Sequence, residues 1–148
     1  MVLKLMWKEM EFSIKIGGYT APCDNYRWED NWCKVDLQVK VGDYMDYYVE
    51  NDEMLASCEV LSLARRLENL LNGGITKQTQ IGFTEPDLTF ELYPKSALGK
   101  DELDVWAEMH IALRLKDTNY NGAVLILPLE RGDIEMLLHY LKGVVGNG

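Results

Sequence analysis

Residues 104–115 read Asp-Val-Trp-Ala-Glu-Met-His-Ile-Ala-Leu-Arg-Leu, and apolar and polar positions separate cleanly along them. Val105, Ala107, Met109, Ile111, Leu113 and Leu115 fall on one face. Trp106, Glu108, His110, Ala112 and Arg114 fall on the other. A period of two residues predicts a strand with one face on a core and one toward water. The same period recurs at 11–16, 32–41, 44–50 and 88–93, with further strands expected at 78–84 and over the mostly apolar 123–129.

Two stretches switch to helical spacing. Val60, Leu63, Leu67, Leu70 and Leu71 mark the first helix, with Ser57 as the expected N-cap, Glu59 in the first turn and Asn72-Gly73-Gly74 as the stop. Ile134, Leu137, Leu138 and Leu141 mark the second, with Asp133 as the expected cap and Gly143 as the end. Turn signals at Gly17-Gly18, Gly42-Asp43, Glu85-Pro86-Asp87 and 118–122 punctuate the strands.

Short loops between successive strands favour antiparallel pairing, so the expected class is α+β. The expected form is a two-layer sandwich, a mainly antiparallel sheet of about six or seven strands with two amphipathic helices on one face. The chain reads as one domain over 1–148, with 1–10 as an extra edge strand or a loose lead-in and 144–148 as a frayed tail. The uncovered sheet face would carry Lys34, Asp36, Gln38, Thr89, Glu91, Trp106, Glu108, His110 and Arg114.

Charge changes this picture. The net charge is −9, and residues 23–59 hold ten carboxylates against three bases. Such a surface repels phosphate backbones and anionic membranes and suits a basic partner or simple solubility. No apolar run is long enough to span a membrane, and the N-terminal residues lack a secretory pattern. Cys23, Cys33 and Cys58 form an odd set that matches no zinc or redox spacing. Free thiols suit a cytoplasmic location, and Cys33, between apolar neighbours, is expected to act as a small hydrophobe.

Catalytic chemistry finds little support. His110 and His139 are the two histidines, and no serine or cysteine sits in a nucleophile elbow. Glu108-x-His110, with Glu91 nearby, offers two or three ligand types on one strand face, a pattern more typical of a hydrogen-bond network than of a metal centre. Glu85 and Asp87 flank a proline and read as turn residues. No metal and no cofactor is expected.

Trp28-Glu29-Asp30-Asn31-Trp32 mixes amphipathic rings with carboxylates, as protein interfaces do. It reads equally well as a loop packed over a sheet edge by its own aromatics. The expected partner-binding set is Trp28, Glu29, Asp30, Trp32, Asp43, Asp46, Trp106, Glu108 and His110. Two rival readings stay open: a small-ligand or enzyme site around Glu91, Glu108, His110 and Arg114, and a homo-oligomer paired through the 44–48 strand.

Two segments carry a family resemblance: Trp28-Glu29-Asp30-Asn31-Trp32 ahead of a strand, and Phe83-Thr84-Glu85-Pro86-Asp87-Leu88-Thr89-Phe90-Glu91 after the leucine helix. Together they resemble the WapI-type immunity proteins, small bacterial proteins that neutralise toxin domains of wall-associated and Rhs-like polymorphic toxins. The resemblance runs over about 11–141 and rests on core and turn residues. It implies a non-enzymatic cytoplasmic protein that holds a toxin domain, and a basic toxin would be steered by the acidic surface.

Overall fold

The computed structural model describes residues 2–21, 31–75, 77–83, 88–94, 107–115 and 124–146. In chain order it has β1 (Leu3–Trp7), β2 (Met10–Gly17), β3 (Lys34–Val41), β4 (Met45–Asp52), α1 (Ser57–Leu71), β5 (Thr79–Gly82), β6 (Leu88–Pro94), β7 (Ala107–Arg114), β8 (Val124–Leu129) and α2 (Arg131–Gly146). The class is α+β, as the patterning predicts.

The strands differ from expectation in number and grouping. Eight are present among the described residues, in two antiparallel four-stranded sheets, β1-β2-β3-β4 and β5-β6-β7-β8. The count rises because residues 3–7 form a complete edge strand, with Leu3 opposite Ile14 and Leu5 opposite Phe12. The break falls between β1 and β8, two edge strands that approach each other without joining in a ladder. Alternation reports which face of a strand is buried, and says nothing about which edges meet.

One core serves both sheets and both helices. β1 and β2 supply Leu3, Leu5, Phe12, Ile14 and Ile16, β3 supplies Val35, Leu37 and Val39, and β7 supplies Met109, Ile111 and Leu113. Over them lie Val60, Leu63 and Leu67 of α1 and Ile134, Leu137 and Leu141 of α2. α2 rests on β1, β7 and β8 together, and so spans the junction of the sheets. It also packs along α1, where Lys142 Nζ reaches Glu68 Oε1 at 3.1 Å between exposed side chains. An ion pair of that kind adds at most about 1 kcal/mol.

The helix ends correct three expectations. Ala56, not Ser57, is the N-cap of α1, and Glu59 Oε1 accepts the Ala56 N–H at 2.9 Å. Ser57 is fully buried and employed elsewhere. Its hydroxyl accepts the Thr20 N–H at 3.0 Å and lies 3.6 Å from Cys33 Sγ, while its own N–H donates to the Asn31 carbonyl at 2.8 Å. Asp133 sits inside the first turn of α2 and reaches back toward the Glu130 N–H at 3.3 Å. α2 also runs through Gly143, because Val144 and Val145 beyond it pack against the core.

A buried hydrogen bond also ties α2 to the first sheet. β2 continues past the start of β1, whose first residue Leu3 already lies opposite Ile14. The Ile16 N–H, beyond that point, donates to Tyr140 Oη at 2.9 Å in a buried setting. Burial pushes the Tyr140 phenol up from its ordinary ionisation value, and the Ile16 hydrogen bond opposes this in part.

Tyr140→Phe should therefore destabilise the fold by about 1–3 kcal/mol, the cost of a buried donor left without its acceptor. The denaturation midpoint should fall at unchanged slope; an unmoved midpoint would show that the bond contributes nothing.

Alkaline pH should also erode stability. Burial raises the Cys33 thiol, with the Ser57 hydroxyl opposing, and raises Tyr140. The fold thus keeps both neutral, whereas the unfolded chain ionises from the ordinary values of 9.0 and 10.0. Both groups have raised folded values, so their contribution is complete below those values and is lost as pH rises through them toward the folded ones. Denaturation midpoints should fall above about pH 9, and Cys33→Ala should remove the earlier part of the fall. A profile identical in the variant would contradict this assignment.

Candidate partner-binding face

Alternation that buries one side of each strand turns the other side to solvent. On the first sheet this open face is a lattice of charges that largely cancel. Lys15 is the cross-strand partner of Asp36, and Glu11, Lys40 and Asp46 form a row across β2, β3 and β4. Lys4 Nζ lies 2.8 Å from Glu11 Oε1 and holds that carboxyl below its ordinary value. Lys34 pairs with Glu53. A shallow depression of ≈ 160 Å³ crosses this face, lined by Val2, Ser13, Lys15, Asp36, Gln38 and Tyr48 among others.

Acidic residues outnumber bases most strongly toward one edge. Residues 41–64 contain Asp43, Asp46, Glu50, Asp52, Glu53 and Glu59 and no lysine or arginine. β4 is the outer strand of its sheet, so much of this charge lies along an edge. The turn that leads into β4 is closed by the Tyr44 N–H on the Val41 carbonyl at 3.0 Å, with Gly42 at φ 51°. The expected turn at Gly42-Asp43 is therefore found, and it lifts Tyr44 into solvent at 87% exposure. Along β4 the alternation continues: Tyr47 is buried while Asp46 and Tyr48 face out, Tyr48 at 53% exposure.

Hydrogen bonds fix the shape of this strand. Gln38 Nε2 donates to Asp46 Oδ1 at 2.8 Å, and Gln38 is also the cross-strand partner of Tyr48. Further on, the register shifts between Val35 and Leu37, so that Glu50 and Asn51 together oppose Asp36. Asn51 takes φ 51° there, and Asp36 Oδ1 accepts its N–H at 2.8 Å. Such a bulge sharpens the local twist of an edge. Partial desolvation, followed by the charges of Glu50 and Asp36, raises the ionisation of Tyr48, which stays a neutral donor.

A second feature lies at the junction of the sheets. Val2 and Met6 alternate away from Leu3 and Leu5, and Val124 and Ile126 alternate away from Leu127 and Leu129. All four are more than half exposed. They flank the β1–β8 junction on the side opposite α2. Apolar ground within the face and charge at its margin is the anatomy of a protein interface.

The expected site residues distribute unevenly over this face. Asp43 and Asp46 stand together on the β3–β4 hairpin. Trp32 is half-buried, and its backbone bridges Ala56 at the start of α1. Trp28, Glu29, Asp30 and Trp106 lie outside the described residues. His110 is half-buried and is the cross-strand partner of Glu91, in a row that continues to Gln80 and Pro128. Glu108 occupies the β7 position opposite Tyr93, its side chain outside the described part, and Arg114 stands opposite Val124. Among the described residues no group of three or more His, Cys, Asp or Glu side chains is placed to hold a metal ion, and no helix is long and apolar enough to cross a membrane.

Sequence reasoning places Tyr44 and Tyr48 on a strand that could pair edge to edge but not in the partner-binding set, and it does not select Val2, Met6, Val124 or Ile126. For Tyr48 the signal was present: it shares the parity of Asp46. For Val124 and Ile126 it was not, because 123–129 is apolar at nearly every position and so hides which residues face out.

A family model then settles the relationship. The Immunity protein WapI-like family matches residues 6–147, nearly the whole chain. The chain belongs to the WapI-like immunity protein family. No curated protein and no solved structure matches it. Membership in this immunity family fits a chain whose distinctive surfaces are an acidic tyrosine hairpin and an apolar junction.

If those surfaces are kept for binding rather than for folding, Tyr44→Ser and Ile126→Thr should each leave stability within about 0.5 kcal/mol of wild type. A thermal or denaturant melt checks this; a loss above about 2 kcal/mol would return the residue to a structural role.

Proposed function

We propose that this member of the WapI-like family is a non-enzymatic cytoplasmic immunity protein that neutralises a basic bacterial toxin domain by binding it directly on the open sheet face. The observation that carries this reading is the β3–β4 hairpin. Two exposed tyrosines, Tyr44 and Tyr48, alternate there with Asp43, Asp46 and Glu50 on a segment without a single base. Tyrosine supplies contact area at low entropic cost and recurs at binding hot spots. Carboxylates around it speed encounter with a basic surface.

The hairpin is the leading edge of the proposed contact, and the depression lined by Tyr48, Gln38, Ser13 and Val2 crosses the face from β4 toward β1. Met6, Val124 and Ile126 join the proposal as exposed apolar residues of β1 and β8. Trp28, Glu29, Asp30, Trp32, Trp106, Glu108 and His110 join the proposal on their sequence pattern.

The rival ligand or enzyme reading has the Glu91–His110 cross-strand pairing in its favour. Arg114, however, stands four residues along β7 from His110, about 13 Å away at the rise of a strand. At that spacing only an arginine side chain laid back along β7 would bring Arg114 to the Glu91–His110 pair.

The test starts with the purified chain as bait in a bacterial lysate at low and high salt, with the captured proteins identified by mass spectrometry. A captured basic domain that arrests growth when expressed alone, and no longer does so when this chain is co-expressed, supports the reading. Association of the purified pair should slow about tenfold in Asp43→Lys/Asp46→Lys at low salt, with the difference shrinking as salt rises. Failure of co-expression to restore growth, or capture of a small metabolite in place of a protein, would overturn it.

A further inference from the structure

We propose that β4 is a docking edge on which the partner adds a basic extended strand, so that recognition runs through backbone hydrogen bonds as well as through charge. The inference deepens the immunity reading and rests on it for the identity of the partner. Strand addition itself can be tested separately.

The backbone directions follow from two hydrogen bonds. The Gly42 N–H donates to the Glu9 carbonyl at 3.1 Å, on the β2 side of β3. The Val41 carbonyl accepts the Tyr44 N–H at 3.0 Å, on the β4 side. Successive residues of a strand point their backbone groups to opposite sides, so only every second opposed pair of an antiparallel ladder exchanges hydrogen bonds. Val41, Val39 and Leu37 therefore face β4, and their partners Met45, Tyr47 and Val49 face back. Asp46 and Tyr48 then turn their N–H and C=O groups outward, where β4 has no strand partner among the described residues.

An outward row of donors and acceptors is a template for another strand. Its side chains choose the occupant. Asp46 and Tyr48, the residues with outward backbone groups, also expose their side chains on the open face, and exposed Glu50 follows two residues on. A lysine or arginine on an added strand meets carboxylates on both sides of a tyrosine ring, which itself attracts cations. A second copy of the same edge would instead set acid against acid, a pairing that costs free energy. The edge thus disfavours its own copy and favours a basic strand.

The probe is a short labelled peptide of alternating lysine and valine, followed by fluorescence anisotropy against the full chain. A control peptide of identical charge carries a methyl group on every backbone nitrogen and donates no backbone hydrogen bond. The proposal expects the control to bind at least about tenfold more weakly, and Asp46→Lys/Glu50→Lys to weaken the parent peptide by a similar factor. Amide exchange followed by NMR gives a residue-level reading. The Asp46 and Tyr48 amides should exchange quickly in the free chain and at least about tenfold more slowly with peptide bound, while the inward Tyr47 amide is protected throughout.

Equal binding of the methylated control would show attraction by charge alone and overturn strand addition. So would no binding at all, or Asp46 and Tyr48 amides already protected in the free chain, as pairing with a second copy would produce. A toxin domain neutralised by the chain in spite of such a result would leave the immunity reading standing and remove this mode of contact alone.

Discussion

The junction between β1 and β8 is the weak line on which the rest of this fold depends. Every other pair of neighbouring strands is joined by an antiparallel ladder, but the two sheets meet at edges that share none. What closes the line is apolar burial. α2 lies across β1, β7 and β8 and places Ile134, Leu137 and Leu141 in the common core. Burial is not directional, so the directional element is left to Tyr140, whose hydroxyl takes the Ile16 N–H where β1 no longer runs alongside β2. Burial of this stripe explains why α2 continues through Gly143: Val144 and Val145 extend the cover over the core, which outweighs the helix cost of one glycine, about 1 kcal/mol.

Much of the architecture was legible along the chain because burial imposes a period. The seven expected strands, both helices and the inward sets Val35, Leu37, Val39 and Met109, Ile111, Leu113 appear as read. Errors arose where one residue type could serve two ends. Ser57 has the chemistry of a cap, but the chain brings Thr20, Asn31 and Cys33 around it, and Glu59 closes the helix start without it. The tertiary contacts decide that contest, and nothing local reports them. The break between the sheets was likewise invisible, since β1 and β8 each satisfy the strand pattern whether or not they pair.

The candidate site shows a similar division. Its acidity was legible as a surplus over residues 23–59, and Asp43 and Asp46 were chosen for that reason. What the sequence does not contain is how charge distributes in space. β1, β2 and β3 bring lysines opposite carboxylates and neutralise the middle of the open face. β4, the one strand of the first sheet without a base, is the one placed at the free edge. An overall charge of −9 is thereby converted into a local one. The tyrosines acquire their meaning from the same placement, since Tyr47 and Tyr48 are neighbours in sequence but stand on opposite sides of the sheet.

An exposed edge strand is a hazard to any β protein, and acidic residues and a bulge are common protections against unwanted pairing. β4 carries both, with the bulge at Glu50 and Asn51 held by Asp36. Protection alone does not account for Tyr44 and Tyr48. Large exposed rings beside outward backbone groups make an edge more adhesive, and a strand meant only to be guarded would be better served by lysine or proline. Charge repels copies of the same edge and attracts the opposite sign, so one row of carboxylates can exclude self-association and select a basic partner together. Under the proposed immunity role these two requirements would coincide, and the same residues of β4 would serve both.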